Sequence, residues 1–412
     1  MILGANTLQI PLIETAKKLG FITVVVSPVK SEVGHSIADI SEICDIKDED
    51  TLLAYAQRHQ ISGIITDQTD IAVRSVAYVA EKMGLPGIGY ETACLFTDKF
   101  RMREKCKELG IPTLRYKMAR SLNEALVFFE ELGSRAILKP VDNQGSKGVS
   151  FIDTKEKMIE CFTEAMTYSK QKEVLVEQVA HGREFVVEGL AINGRFINLN
   201  VGDTYYFNIP DVFAATQRIF PTNADVVLRK KVEEINEKII KGFGLKQGIS
   251  HSEFIMNGDD VILIETAARG GGVFISSDLI PLCTGLHTEE FLLNIAMGNI
   301  NEMPEIKKDQ RACCYLAMFL PVGVVECIEG IANVIALPYV HHHNLDAIQI
   351  DMHTKEPKDK TARFFLIVEA QDRNELEQRV IEIKQILNGI LVRCEDGSLQ
   401  PVSYTHLRAH ET

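Results

Sequence analysis

The chain has 412 residues, 46% apolar and 25% charged, a length that calls for two to four structural units and a composition that excludes a disordered or fibrous protein. Its formal net charge of -13 argues against a nucleic-acid partner, because such binding relies on lysine and arginine displacing counterions. Nine cysteines, an odd number with no Cys-x-x-Cys pair and no signal segment before them, fit a reducing cytoplasm, and the longest apolar run, residues 313–325, contains Pro321 and is too short to anchor in a membrane.

Residues 1–92 alternate short β-branched runs with helical patterns: a strand at Ile2 and Leu3, a helix over residues 8–19, a strand over 21–27, the run "ISGIITD", and a helix in "IAVRSVAYVAEKMG". That rhythm predicts a parallel α/β unit. Its first strand is so short before Gly4 that the amino terminus reads as clipped. The turn "GANTLQ" lacks two of the three glycines of a dinucleotide fingerprint, and the second strand ends in Ser27-Pro28 where an acid would meet a ribose, so NAD is not expected. The segment "TDQTD", residues 66–70, stands at the strand end where α/β sheets bind ligands and fits an acceptor-substrate contact or, equally, a helix cap at Asp67 or Thr69.

The next run, "TDKFRMREKCKELG", predicts a helix capped by Thr97 or Asp98 with Lys99 in its first turn, where a lone lysine is usually solvated. In "AILKPVDNQGSKGV", Lys139 ends an apolar strand and a loop with Gly145, Ser146 and Gly148 follows. A lysine on a buried strand is costly unless an anion meets it, and glycines let backbone amides approach a phosphate; a snorkelling lysine beside a surface turn fits as well. The segment "VLVEQVAHGREFVVEG" sets Glu177 at one strand end and Glu184 at the next strand start, with a connector whose backbone suits the edge of a base and a carboxylate that suits ribose hydroxyls. Two edge-strand charges are the plainer alternative. Further on, Arg218 in "ATQRIFP" could fork onto a substrate carboxylate.

The strongest local signal is the hairpin "GISHSEFIMNGDDVILIETAARGGG", whose strands carry Glu253 and Glu265. A three-residue connection, with Asn257 opposite Val261, brings the two carboxylates face to face on one side of the sheet. Facing carboxylates repel, so the pair is expected to hold a cation or share a proton, and oxygen-only ligands point to magnesium or manganese. His251 and Arg269 flank the pair, and glycines 270–272 leave room for a ligand. His251 is read first as a hydrogen-bonded core histidine, with proton relay as the alternative. The C-terminal part adds a strand and turn in "GVVECIEG", adjacent histidines 341–343 that would alternate faces without an acid or cysteine to complete a metal site, and an amphipathic helix over 374–387.

In this order the pieces resemble the ATP-grasp superfamily, particularly carboxylate-amine ligases similar to biotin carboxylase, carbamoyl phosphate synthetase and D-alanine ligase. The resemblance covers residues 1 to about 390. It implies a mixed α/β and α+β architecture, with an amino-terminal Rossmann-like (pre-ATP-grasp) domain over 1–92 and an ATP-grasp domain over 93–308 that carries a mobile lid around 119–178. A C-terminal α+β segment would follow over 309–395; the closing run "VSYTHLRAHET" has no apolar period, so 396–412 reads as a tail or a non-native extension. It further implies ATP and magnesium or manganese as cofactors, with Lys99 and Lys139 on the phosphates and Gly145, Ser146 and Gly148 in the loop over them. Glu177 and the backbone at Val179 would meet adenine, Glu184 the ribose, Glu253 and Glu265 the metal, and Arg269, with Lys139, the transferred phosphoryl group; Arg218 and His251 would face substrate. Small carboxylates and amines would be the partners, amino-acid-like ones first, and a homodimer is compatible. A non-catalytic nucleotide-binding module, or a purine-biosynthesis or bicarbonate-using enzyme, is the alternative. One departure is Ala267, where many relatives carry asparagine, which puts a ligand for a second magnesium in doubt.

Overall fold

The structure, a computed structural model, describes residues 1–133, 135–143, 147–209, 212–300, 302–357 and 362–402. Short strands β1 (Ile2–Leu3), β2 (Val24–Ser27) and β3 (Ile40–Ile43), the first two apolar and buried and the third a partly exposed edge, form a parallel sheet in that order, with Ile2 opposite Val25 and Val24 opposite Ile40. Helices α1 (Ile10–Lys18), α2 (Gly34–Ile37), α3 (Glu49–Arg58), α4 (Val73–Met83) and α5 (Tyr90–Leu95) accompany it. The run "ISGIITD", grouped with the strands above, supplies an isolated bridge, Ile2 to Ile65, because β1 offers only two residues to pair with. Likewise α1 starts at Ile10, after a 3-10 turn capped by Asn6, with Pro11 in its first turn where the missing N–H costs nothing.

Helix α6 (Lys99–Glu108) is capped by Asp98, whose side chain accepts from the Arg101 amide, and leads into a separate four-stranded sheet. Its elements are β4 (Tyr116–Ala119), α7 (Leu122–Leu132), β5 (Ala136–Pro140), β6 (Ser150–Ile152), α8 (Lys155–Tyr168) and β7 (Val174–Gln178), in the antiparallel order β4-β7-β5-β6. Phe128 and Phe129 of α7 and Phe162 of α8 close one side of this sheet, giving it its own small core.

The rest of the chain is built on β8 (Glu184–Ile192), β9 (Arg195–Tyr206), β10 (Ala215–Phe220), α9 (Val226–Gly242), β11 (Gly248–Asn257), β12 (Asp260–Ala267), α10 (Ile280–Thr284), α11 (Thr288–Ala296), β13 (Ala312–Phe319), β14 (Val324–Ile328), α12 (Ile331–Ile335), β15 (Val340–His343), β16 (Arg363–Ala370), α13 (Arg373–Leu387), β17 (Ile390–Arg393) and β18 (Leu399–Pro401). Eight of the strands make one antiparallel sheet, β12-β11-β8-β9-β10-β13-β16-β15. Side chains alternate across it: Phe185, Val187 and Phe254 face α9 through Val232 and Ile239, whereas Val186 and Tyr315 face α10 and α11 through Ile280 and Phe291. Strands β14, β17 and β18 form a small third layer with α13. Strand β18 and buried Val402 place residues 399–402 in a sheet, since Leu391 pairs with Pro401 and Arg393 with Leu399, so the part of the expected tail up to 402 is packed; residues 403–412 lie outside the described residues. Among the described residues no helix is long and apolar enough to cross a membrane.

Candidate active site

The β11–β12 hairpin brings Glu253 opposite Glu265, as the sequence predicts, but by a different route. The connection has two residues, Gly258 and Asp259, with Asn257 opposite Asp260, a register that continues to Phe254 opposite Leu263. Continued unbroken, it would set Glu253 against Ile264. An irregularity between Glu253 and Phe254 inserts Ile264 as an extra residue, so Glu265 returns to the face of Glu253 while Leu263 stays in the α9 core. Bulges re-aim side chains in this way beside active sites.

The two carboxylates are each met by a cation of the chain itself. The Lys99 ammonium lies 2.9 Å from Glu265 and donates to the Asn143 carbonyl at 2.6 Å. Arg218, opposite Thr204 and Tyr315 in its sheet, donates to Glu253 at 2.6 Å and to the Thr204 hydroxyl at 3.3 Å. Its buried Nε has no partner among the described residues. Burial opposes the charge on Glu253, yet Arg218 and His251 outweigh it and hold the carboxyl well below the usual range. His251 is a buried, hydrogen-bonded histidine: its Nδ1 bonds Glu188 and its Nε2 is 3.4 Å from Glu253. Burial would lower its pKa, but Glu188 raises it, which favours imidazolium. Glu184, opposite Thr204, accepts from the Tyr206 hydroxyl, whose pKa burial and this carboxylate push well above its ordinary value.

In the four-stranded sheet, Lys139 and Glu177 lie on neighbouring strands β5 and β7 and meet at 2.5 Å. Burial, with Arg103 and Lys99 nearby, lowers the Lys139 pKa despite Glu177. Glu177 is buried, accepting also from Arg103, and these two cations bring it down to about 2 against the cost of burial. Val179 follows the end of β7 by one residue. Gly148 sits at φ +73, where a Cβ would lie 2.8 Å from the Tyr168 ring, so both conformation and space require glycine. Gly145 and Ser146 lie outside the described residues.

The amino-terminal unit closes the other side. Asp70 accepts two bonds from Arg269, both at 2.8 Å, and Asp67 accepts from the Gly270 amide at 2.9 Å. Glu188 accepts from the Gly271 amide at 3.1 Å, and the Phe274 amide donates to Gln68 at 3.0 Å. The segment "TDQTD" therefore orders the loop after β12. His342 of β15 also reaches this loop, its ring 4.1 Å from that of Phe274, with Asp278 3.4 Å from its Nδ1. The three adjacent histidines lie near separate carboxylates, Glu369, Asp278 and Asp346 in turn.

Sequence reasoning missed Arg103 and Glu188. Each carried a signal: Arg103 is four residues after Lys99, on the same helix face, and Glu188 is four after Glu184, on the same strand face. Asp70 as the partner of Arg269, 199 residues away, had no local signal. Glu253 and Glu265 offer oxygen donors only, the set that hard divalent cations prefer, so the pair fits magnesium. Among the described residues no group of three or more histidine, cysteine or acidic side chains could hold a metal by itself, so phosphate oxygens and water would complete such a shell. Ala267, opposite His251, adds no donor.

Residues 132–278 match the ATP-grasp domain family. The chain is 27% identical over 284 residues to the alanine–anticapsin ligase of Bacillus subtilis (strain 168), a match covering 61% of this chain and 58% of that protein's length. It is 26% identical over 234 residues to the D-alanine–D-alanine ligase of Pseudomonas fluorescens, covering 55% of this chain and 71% of the other. The L-amino acid ligase of Bacillus licheniformis superposes with a TM-score of 0.77 at 20% identity over 93% of this chain and 96% of that one, which establishes a common fold.

Proposed function

This chain is an ATP-grasp protein, and on that premise we propose that it is a magnesium-dependent, ADP-forming ligase that activates a carboxylate as an acyl phosphate and passes it to an amine. The observation that carries the reading is the pairing of Glu253 with Glu265 on one sheet face, Lys99 on one carboxylate and Arg218 on the other. Phosphoryl transfer needs that combination of oxygen donors and fixed cations.

In this reading Lys99 and Lys139 neutralise the nucleotide phosphates, and the backbone around Gly145, Ser146 and Gly148 covers them. Glu177 and the Val179 backbone meet adenine, and Glu184 meets the ribose. Magnesium held by Glu253 and Glu265 would supply charge neutralisation at the phosphate oxygens. A carboxylate oxygen of the substrate, oriented by Arg218, attacks the γ-phosphorus in line and ADP departs. The amine nitrogen then attacks the acyl carbon, the C–O bond to phosphate breaks, phosphate leaves with the oxygen it gained and takes up the proton the nitrogen loses, and Arg269 balances the charge on that departing oxygen. His251, fixed by Glu188, orients Glu253. Closure of the lid segment keeps water from the acyl phosphate.

An amino-acid-like carboxylate is the preferred substrate, supported by the similarity to alanine–anticapsin and D-alanine–D-alanine ligases. A cytoplasmic setting is supported by nine free cysteines. A nucleotide-binding module without turnover is the second reading, favoured only by Ala267. The test is ADP and phosphate release across pairs of amino acids with magnesium-ATP. Stoichiometric release with at least one pair, dependent on both carboxylate and amine, supports the ligase; tight ATP binding with no turnover on any pair favours the module.

A further inference from the structure

Arg103 is among the most deeply buried charged side chains in the protein, 1% exposed, and nothing in the reading above uses it. It projects from α6, one helical turn beyond Lys99, into the junction between the lid sheet and the central sheet. Its Nε donates to Glu177 Oε1 at 2.5 Å, and its Nη2 donates to Glu177 Oε2 at 3.2 Å and to the Ile264 carbonyl at 2.7 Å. Ile264 is the extra residue of the bulge that turns Glu265 toward Glu253. One guanidinium therefore touches the lid strand β7, the bulge of β12 and, through its own helix, the segment that carries Lys99. The Nη1 is buried without a hydrogen-bond partner among the described residues.

Glu177 thus has two cations where one would balance it. The second, Lys139, approaches Oε2 at 2.5 Å, and that oxygen also accepts from Arg103. A carboxylate oxygen has two lone-pair sites, so Oε2 is saturated while Lys139 remains. If Lys139 turns to a phosphate, Oε2 regains an acceptor site and Glu177 keeps a bidentate partner in Arg103. Without Arg103, the same movement would strand a buried, unpaired carboxylate, one of the costliest arrangements in a protein interior.

We propose that Arg103 is a positioning residue for nucleotide binding: it holds Glu177 in a bidentate grip so that Lys139 can be released from Glu177 to the phosphates, leaving one Glu177 oxygen free to accept from the adenine amino group. The proposal rests on the ATP-dependent reading. It assigns Lys139 two partners in succession and makes Arg103 the group that permits the exchange. No bond to carbon or phosphorus changes in this step; one ammonium–carboxylate contact is replaced by one ammonium–phosphate contact.

The test is calorimetric binding of magnesium-ADP to the full chain, at a temperature well below unfolding, for the parent, Arg103→Met and Arg103→Met/Glu177→Gln. The exchange predicts about 100-fold weaker binding for Arg103→Met and partial recovery, to within about tenfold of the parent, for the double variant: with nucleotide bound Lys139 lies on the phosphates, no buried carboxylate is stranded, and the amide oxygen of Glu177→Gln can still accept from adenine. Should Arg103→Met fail to fold, Arg103→Gln takes its place: a neutral amide fills the space but leaves Glu177 without a cation once Lys139 turns, so markedly weaker binding is again expected and unchanged affinity overturns the exchange. A double variant that folds and binds no better than about 100-fold below the parent overturns the exchange. So does a lowered melting temperature in Arg103→Met with unchanged affinity, the pattern of a purely structural ion pair. A parent that binds no nucleotide overturns the ligase reading and the exchange with it, whereas a binding parent matched by Arg103→Met overturns the exchange alone.

Discussion

Lys139 donates to a carboxylate that is itself buried, so its charge is compensated before any nucleotide arrives. Lys139→Ala should leave Glu177 to Arg103 and keep the fold, while ATP binding weakens by about 10- to 100-fold, as measured by calorimetry. Unchanged affinity in a folded variant would take Lys139 out of the site. The facing carboxylates need a revised expectation. Repulsion between Glu253 and Glu265 is already offset by Arg218 and Lys99, so Glu265→Gln brings little relief, and its amide oxygen can still accept from Lys99. Its melting point without nucleotide should shift by the equivalent of about 1 kcal/mol or less, while turnover is abolished for want of a metal ligand. Substantial turnover in that variant would sink the metal assignment. Most of these residues were legible because a charge on an otherwise apolar strand is conspicuous. Their partners were not, because ion pairing depends on which strands become neighbours.

The hairpin shows what sequence can and cannot say about an element. Alternation predicts that Glu253 and Glu265 share a face, and they do, but the turn is one residue shorter than expected and a bulge makes up the difference. A bulge residue such as Ile264 has no composition of its own, so turn length and bulge trade places invisibly in a sequence. The glycines that follow are not equivalent either. A Cβ on Gly271 would lie 2.6 Å from Glu188 Oε1 and 2.8 Å from His251 Nδ1, both buried and hydrogen-bonded to each other, whereas a Cβ on Gly272 would meet nothing nearer than 3.9 Å. Gly271→Ala should therefore cost about 1–3 kcal/mol and most of the activity, and Gly272→Ala about 0.5 kcal/mol or less. Denaturant unfolding of the two variants checks this; equal losses would mean that the loop does not pack as described.

At the scale of the molecule, the change of strand and helix periods along the chain was legible, while the contacts that join distant segments were not. Asp70 on Arg269, Gln68 on the Phe274 amide and Asp67 on the Gly270 amide all link residues about 200 apart. Near this seam lies Glu289 of α11, whose pKa burial, together with Asp67 and Asp278, raises to about 8. Asp67 is raised by burial to about 6 against Ser276, Gly270 and Arg269. Below about pH 4 both folded and unfolded chains hold the Glu289 proton. As pH rises from about 4.5 toward 8, the unfolded chain loses that proton before the folded one does, so stability falls across this window. Glu289→Gln should remove part of the fall and melt a few degrees higher than the parent at pH 8, with a smaller gain at pH 5. An equal gain at both would place the effect in packing.

The central claim, that a carboxylate is activated by phosphorylation within this fold, meets its most direct test in isotope transfer. Once an accepted carboxylate and amine pair is known, the carboxylate is supplied with both oxygens as oxygen-18 and the released phosphate is examined by mass spectrometry. Attack of a carboxylate oxygen on the γ-phosphorus, followed by displacement of phosphate by the amine, predicts one labelled oxygen in each phosphate released, with ADP as the other product. Unlabelled phosphate, or AMP and pyrophosphate in place of ADP and phosphate, would contradict the account.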